Sequence, residues 1–210
     1  FYTLIRHVVH QVFRYMSERG YHPGIVQLFN DALFEEVLRE TPNGIRYHLI
    51  DVVVDELCAV QHEKSSSSSS NKSDELFTAD DFILVLEPYF ALAQHGCGDD
   101  TVHGRAVEKV LMRFLDRYSV VVRDHDDKEE EGNDSPPPVF RHVHVGTVAE
   151  FIFDIAGDVN TAKESYRKAL HDTFKAYSRR IKRGTDVDTT ALVLLRGEDD
   201  SSINGSDDGD

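Results

Sequence analysis

Pro42-Asn43-Gly44-Ile45-Arg46-Tyr47-His48-Leu49-Ile50-Asp51-Val52-Val53-Val54-Asp55-Glu56-Leu57 reads as a helix start running into a helix that is apolar nearly all round. Set on a period of roughly 3.6 residues, Ile45, Leu49, Ile50, Val52, Val53, Val54, Leu57 and Val60 cover well more than half of the circumference. Such a helix is expected to lie inside other helices. The polar remainder is a narrow strip, because His48, Asp51, Asp55 and His62 are separated by helical repeats of three, four and seven residues. A central stave with one wet edge predicts an all-α protein.

Working outward, helical patterns occupy approximately residues 1 to 19, 23 to 40, 44 to 62, 79 to 95, 101 to 122, 147 to 157 and 161 to 183. Gly20 and Pro23 separate the first two, with Pro23 suited to a first-turn position, and Pro42-Asn43-Gly44 separates the second from the third. Thr78 with Asp81 makes a capping box for the fourth, which Gly96 and Gly98 then end. Pro88 falls inside that fourth helix and should bend or split it, since it removes a backbone donor and crowds the preceding turn. Val139 to Val145 alternates apolar residues with His and is compatible with a short extended piece. Broad apolar faces on helices joined by short turns suit an α-solenoid or an irregular helical bundle. No fixed-period sequence repeat is evident, so any repeat is structural.

The chain of 210 residues carries a formal charge of -15, and its distribution matters more than its sum. Residues 124 to 134 hold seven acids against Lys128, and residues 186 to 210 hold eight against Arg196. Residues 163 to 183 are the reverse, with eight Lys and Arg against Glu164 and Asp172. An acidic chain therefore does not exclude a nucleic-acid partner. Ser65 to Ser70 cannot bury apolar area, and Asp124 to Pro138 is acidic and ends in three prolines. The expected organisation is one helical domain over 1 to 183, with flexible insertions near 64 to 76 and 123 to 138, followed by an acidic disordered tail over 184 to 210. Within that tail, Ala191-Leu192-Val193-Leu194-Leu195 is an apolar island that could dock on a partner.

Candidate chemistry is sparse. Cys58 and Cys97 are too few for a disulfide scaffold and have no paired metal spacing, which favours a reducing compartment and ordinary small side chains. His48, Asp51 and Asp55 could converge on a metal ion, or could form a polar edge for inter-helix hydrogen bonds or a partner. No second His and Asp cluster completes a coordination shell, and His142-Val143-His144 is a weaker ligand pair still. The chain has no G-x-S-x-G, P-loop, G-x-G-x-x-G or H-E-x-x-H motif, and Glu35-Glu36 lies in a solvated-looking stretch. No apolar run approaches the roughly 18 residues needed to cross a bilayer. An enzyme, a cofactor, a small-molecule substrate and a membrane partner are therefore not expected.

Two basic surfaces remain. Arg6, His10 and Arg14 recur every four residues on the first helix, opposite Leu4 or Ile5, Val8 or Val9, Val12 and Met16, and are expected to form an outward positive ridge. On the last helix Arg167, Lys168, Lys175, Arg179, Arg180, Lys182 and Arg183 form a denser one. Each can be a plain solvated face, with cations favouring the helix C-terminus, or a set of sequence-independent contacts to RNA phosphates. Tyr166, Phe174 and Tyr177 lie at helical spacing and are expected in the core rather than stacked on bases.

The wording of the central stretch adds what periodicity cannot. Asn43-Gly44-Ile45 running through His48, Asp51 and Asp55-Glu56-Leu57 resembles the eukaryotic ribosomal RNA-processing protein 1 family. Phe1-Tyr2-Thr3-Leu4-Ile5-Arg6 with Gln11-Val12-Phe13 resembles that family's helix opening, and Leu86-Glu87-Pro88-Tyr89-Phe90 its later stretch. Asn160-Thr161 and Arg167-Lys168-Ala169-Leu170 resemble its closing helix, with Tyr166 in place of the family's Asn and His171 in place of its Tyr. The family's Trp-rich helices have no counterpart in a chain without Trp that begins at Phe1, so the resemblance implies a fragment. It further implies an irregular armadillo or HEAT-like helical fold in the nucleus and nucleolus. The implied role is a non-catalytic scaffold of pre-ribosomal particles, required for precursor ribosomal RNA processing and mainly for large-subunit biogenesis. Its implied partners are precursor ribosomal RNA, assembly factors and ribosomal proteins. Asn43, Gly44, His48, Asp51 and Asp55 are then a candidate partner-binding edge, and the basic residues of the first and last helices are candidate phosphate contacts. The alternative is a HEAT-like adaptor between proteins, without an RNA role.

Overall fold

The computed structural model describes residues 2–39, 42–67, 76–117, 140, 142–161 and 163–183. Every regular element among them is helical. These are α1 (Tyr2–Glu18), α2 (Pro23–Ala32), α3 (Asn43–Ser67), α4 (Ala79–His95), α5 (Asp100–Ala106), α6 (Arg113–Arg117), α7 (Val145–Gly157) and α8 (Glu164–Arg183). The architecture is an all-α helical repeat or bundle. α1 packs on α3, which packs on α5; α2, α5, α7 and α8 all pack against α4, and α7 pairs with α8. The expected stave is α3, with Ile50, Val53, Val54 and Leu57 at 0 to 1 % exposure. It shares the centre with α4, whose Phe82, Val85, Leu86, Tyr89, Phe90, Leu92 and Ala93 are all buried.

Local chemistry explains the element ends. Thr78 Oγ1 accepts from the Asp81 N–H while the Asp81 carboxylate takes the Thr78 N–H, the reciprocal box predicted for α4. Pro23 occupies the first turn of α2, with His22 Nδ1 accepting from the Gly24 N–H at 3.2 Å. Gly96 ends α4 at φ 62°, where an added Cβ would come within 2.7 Å of the Tyr166 hydroxyl. Both the left-handed backbone and the approach of α8 therefore require glycine there.

Three expectations need correction. Of the bend or split expected at Pro88, the split does not occur: α4 runs unbroken from Ala79 to His95. The Leu84 carbonyl, deprived of the proline N–H, instead accepts Asn30 Nδ2 from α2 at 2.6 Å. α3 does not stop before the serine tract; it continues to Ser67, since each residue added to a formed helix gains a backbone hydrogen bond. On the far side of that tract Phe77, just past the expected insertion at 64 to 76, is buried. Where the stretch read as extended at Val139 to Val145 is described, it forms a turn leading into α7: Phe140 has φ 63° and its carbonyl accepts from the Val143 N–H at 3.0 Å. Phe140 is 4 % and Val143 1 % exposed, and the Phe140 ring lies 5.3 Å from Phe114 and 5.7 Å from Phe82.

Two of the helices also depart from regular α-helical geometry. α2 continues as a π-helical turn over Leu33–Leu38, and a second π-helical stretch, Val107–Met112, joins α5 to α6. The first is closed by the Arg39 N–H on the Phe34 carbonyl, five residues back, at 2.9 Å. The expected insertion at 123 to 138, the end of the helix expected at 101 to 122, the apolar island at 191 to 195 and the tail at 184 to 210 lie outside the described residues.

Candidate functional site

The polar strip of α3 is an ion-pair seam. Asp51 receives a fork from Arg105, with Nε at 2.7 Å and Nη2 at 2.6 Å, and the same guanidinium stands over the Tyr47 ring at 5.0 Å. One turn on, Asp55 meets Arg113 at 3.2 and 3.3 Å and Arg117 at 3.2 Å. His48 donates from Nε2 to the Tyr2 carbonyl at 3.0 Å, and Asn43 donates to Asp99 at 3.0 Å. Gly44 is exposed in the first turn, where a Cβ would meet the Tyr2 hydroxyl at an ordinary 3.7 Å. Of the alternatives left open by the sequence, these residues follow the inter-helix one. Among the described residues no three His, Cys, Asp or Glu side chains are arranged to hold a metal ion.

The cations of this seam were not singled out from sequence, because Arg105, Arg113 and Arg117 become partners of α3 only when the helices dock. The π-helical stretch helps to align them. Eight residues of pure α-helix would carry Arg113 about 80° round from Arg105, whereas wider turns between the two absorb part of that rotation.

Arg6 and Arg14 of the ridge on α1 are exposed, but both are paired with carboxylates. Arg6 and His10 lie along the seam with α3 and hold Glu56, which is only 5 % exposed; His10 also reaches Glu63 at 3.3 Å. Arg14 pairs with Glu18 on its own helix. A buried carboxylate needs such partners, so Arg6, itself exposed, turns its guanidinium toward Glu56. The exposed side of α1 also carries apolar residues: Leu4 is 62 % and Val8 53 % exposed.

α8 differs. Tyr166, Leu170, Thr173, Tyr177 and Ile181 form its buried side, which leaves Lys168, Asp172, Lys175 and Arg179 as an exposed stripe. Lys168 and Arg179 have no hydrogen bond or ion pair among the described residues, and Lys175 pairs with Asp172 at 3.2 Å. Arg180 is exposed beside the stripe and Arg167 is half-buried. Lys182 and Arg183 close the helix, their side chains lying outside the described set.

Of the three aromatic residues of α8 expected in the core, Tyr166 and Tyr177 are buried and Phe174 is half-buried against it. The Tyr177 hydroxyl donates to the Leu111 carbonyl at 2.6 Å, within the π-helical stretch. The Tyr166 ring stacks on His103 at 3.7 Å and 11°, and its hydroxyl donates to Asp100, which also holds Lys163. Hydrogen bonds from Lys163 and Tyr166 hold the Asp100 carboxyl below its ordinary range. Burial pushes the His103 imidazole down, although its Nδ1 donates to the Ala93 carbonyl at 2.6 Å. Burial also raises the Cys58 thiol to about 12, which fits a small core side chain rather than a nucleophile.

Helix seams crossed by ion pairs, with a last helix carrying cations on its outer side, define an all-α helical-repeat or bundle domain. Within that class the chain belongs to the family described as Nucleolar protein, Nop52, whose profile matches residues 1–140. Over 63 residues it is 40 % identical to Ribosomal RNA processing protein 1 homolog B of Homo sapiens, a match covering 29 % of this chain and 8 % of the human protein. The protein of the same name from Mus musculus is also 40 % identical over 63 residues, covering 29 % of this chain and 9 % of the mouse protein. The matched region thus spans less than a tenth of these curated relatives. No solved structure matches the chain. The resemblance read from the central stretch is therefore correct at the level of family. Among the described residues no helix is long and apolar enough to cross a membrane.

Proposed function

We propose that this chain is a non-catalytic scaffold of nucleolar pre-ribosomal particles. It supports processing of precursor ribosomal RNA during ribosome assembly, mainly of the large subunit. Membership of a nucleolar family and relatives named for ribosomal RNA processing favour this reading. The observation that carries its RNA side is the outer stripe of α8, where Lys168, Lys175 and Arg179 stand exposed on a helix anchored along its opposite side. From Lys168 to Arg179 the helix rises roughly 16 Å, so the cations follow a backbone without reading bases. Binding releases counterions from the RNA and weakens as salt rises.

In this reading Arg167, Arg180, Lys182 and Arg183 extend the phosphate-contacting surface, whereas Arg6 and Arg14 do not take part. The edge formed by Asn43, Gly44, His48, Asp51 and Asp55 serves partners indirectly, by holding α1, α3 and α5 as one rigid surface for assembly factors and ribosomal proteins. Localisation to the nucleolus of the nucleus follows from that role.

The test is affinity of the chain for a fragment of precursor ribosomal RNA, measured from low to physiological salt, beside the variant K168A/K175A/R179A. A steep salt dependence that flattens in the variant supports the scaffold reading. Unchanged affinity in a folded variant removes the α8 contact and favours the protein adaptor.

A further inference from the structure

A second charged surface lies away from α8. Between α4 and α7, with Gln27 of α2 at its rim, runs a groove of about 470 Å³. One wall is Asp80, Ile83, Leu84 and Glu87, and the other is Thr147, Glu150, Phe151 and Asp154. On each wall these positions repeat at three, four and seven residues, so each helix turns one continuous face inward. Half-buried Ile83, Leu84 and Phe151 give the groove its apolar residues, and four carboxylates supply its charge.

These carboxylates differ from those along the helix seams. Asp51, Asp55, Glu56 and Asp100 all hold cations, but Asp80, Glu87, Glu150 and Asp154 have no hydrogen bond or ion pair among the described residues. Two are placed at a cost to α7. Glu150 and Asp154 are like charges one helical turn apart, and Asp154 sits in the last turn, where the helix dipole disfavours an anion. A cation arriving in the groove relieves both penalties.

We infer that this groove docks a short cationic peptide segment of a protein partner. Its Lys or Arg side chains meet the four carboxylates while one apolar side chain lies against Ile83, Leu84 and Phe151. The charge excludes a phosphate backbone, so the groove is separate from the α8 stripe and does not depend on RNA binding there. From Asp80 to Glu87 the wall rises roughly 10 Å, enough for about two turns of a helical peptide or three to four extended residues.

The test uses the full chain and a fluorescently labelled twelve-residue peptide of Lys and Arg with one central Leu. Anisotropy titrations compare the chain with E150Q/D154N, which keeps side-chain shape and removes the repelling pair. The expected results are about tenfold weaker peptide binding, unchanged affinity for single-stranded RNA, and a higher melting temperature. Equal peptide affinity for the two proteins overturns the proposal. So does loss of RNA affinity in the variant, which would make the groove part of a nucleic-acid path. Replacing the central Leu of the peptide by Ser should weaken binding further; equal binding would refute the apolar contact.

Discussion

The polar strip of α3 and the basic stripe of α8 have similar spacing and opposite fates. On α3, Asp51 and Asp55 are each within one turn of helix α5 or α6 and are consumed by Arg105, Arg113 and Arg117. On α8, the side away from Tyr166 and Tyr177 leaves Lys168 and Arg179 without a partner among the described residues. What a charged face does is set by what packs beside it. The first face holds helices together, and the second is left for something else.

That contrast can be broken at the joint that seats α8. Replacing Gly96 by Ala forces a left-handed backbone on a side chain and drives its Cβ into Tyr166, so stability should fall by about 2–4 kcal/mol in denaturant titration. Gly98→Ala is the control, because φ there is 78° but a Cβ meets nothing within 4 Å. Equal losses for the two would mean that the approach of Tyr166 contributes nothing.

The seam itself comes next. Asp55→Ala strands two guanidinium groups and should cost about 1–3 kcal/mol, with little change in RNA affinity at temperatures where the variant is folded. A neutral effect on stability would move α3 into the same category as α8. Substituting Lys168, Lys175 and Arg179 together should do the opposite. RNA affinity is expected to fall about tenfold at low salt, with the slope of log affinity against log salt shallower by about 2, while stability stays within about 0.5 kcal/mol.

The smallest effect is expected at His103. Its folded imidazole titrates below the ordinary 6.5 because burial disfavours the cation. Between that depressed value and 6.5 the unfolded chain binds more protons, so stability is fully present above pH 6.5 and is lost as pH falls through the window. Denaturant midpoints from pH 7.5 to 5 should show this decline and a flatter profile for His103→Gln. An identical profile would detach the Tyr166 stack from the titration.

Much of the fold was legible because local chemistry and packing agree. The Thr78 and Asp81 box, Pro23 in a first turn, and the all-round apolar course from Ile45 to Val60 each have a local cause that tertiary structure leaves intact. The π-helical turns were not legible, since Leu33–Leu38 and Val107–Met112 have ordinary helix-forming compositions and differ only in hydrogen-bond closure. Nor was the outcome at Pro88, which depends on Asn30 arriving from another helix. For the candidate surfaces, spacing identified the faces but not their neighbours. The pairing of Arg6 and His10 on α1 was hidden because the buried Glu56 that claims them lies on α3, far along the chain. The acidic groove escaped notice because Asp80 and Glu87 are far in sequence from Glu150 and Asp154.

The bond from Asn30 to the Leu84 carbonyl also ties the completion of one helix to the arrival of another. Its two residues are 54 positions apart, so α4 cannot finish its own backbone ladder by local folding alone. Until α2 docks, the turn before Pro88 carries an open carbonyl, and once it docks the two helices gain stability together. Amides of α4 on either side of Pro88 should therefore exchange with solvent at the rate of α2 undocking, as one cooperative unit rather than as a helix fraying from its end.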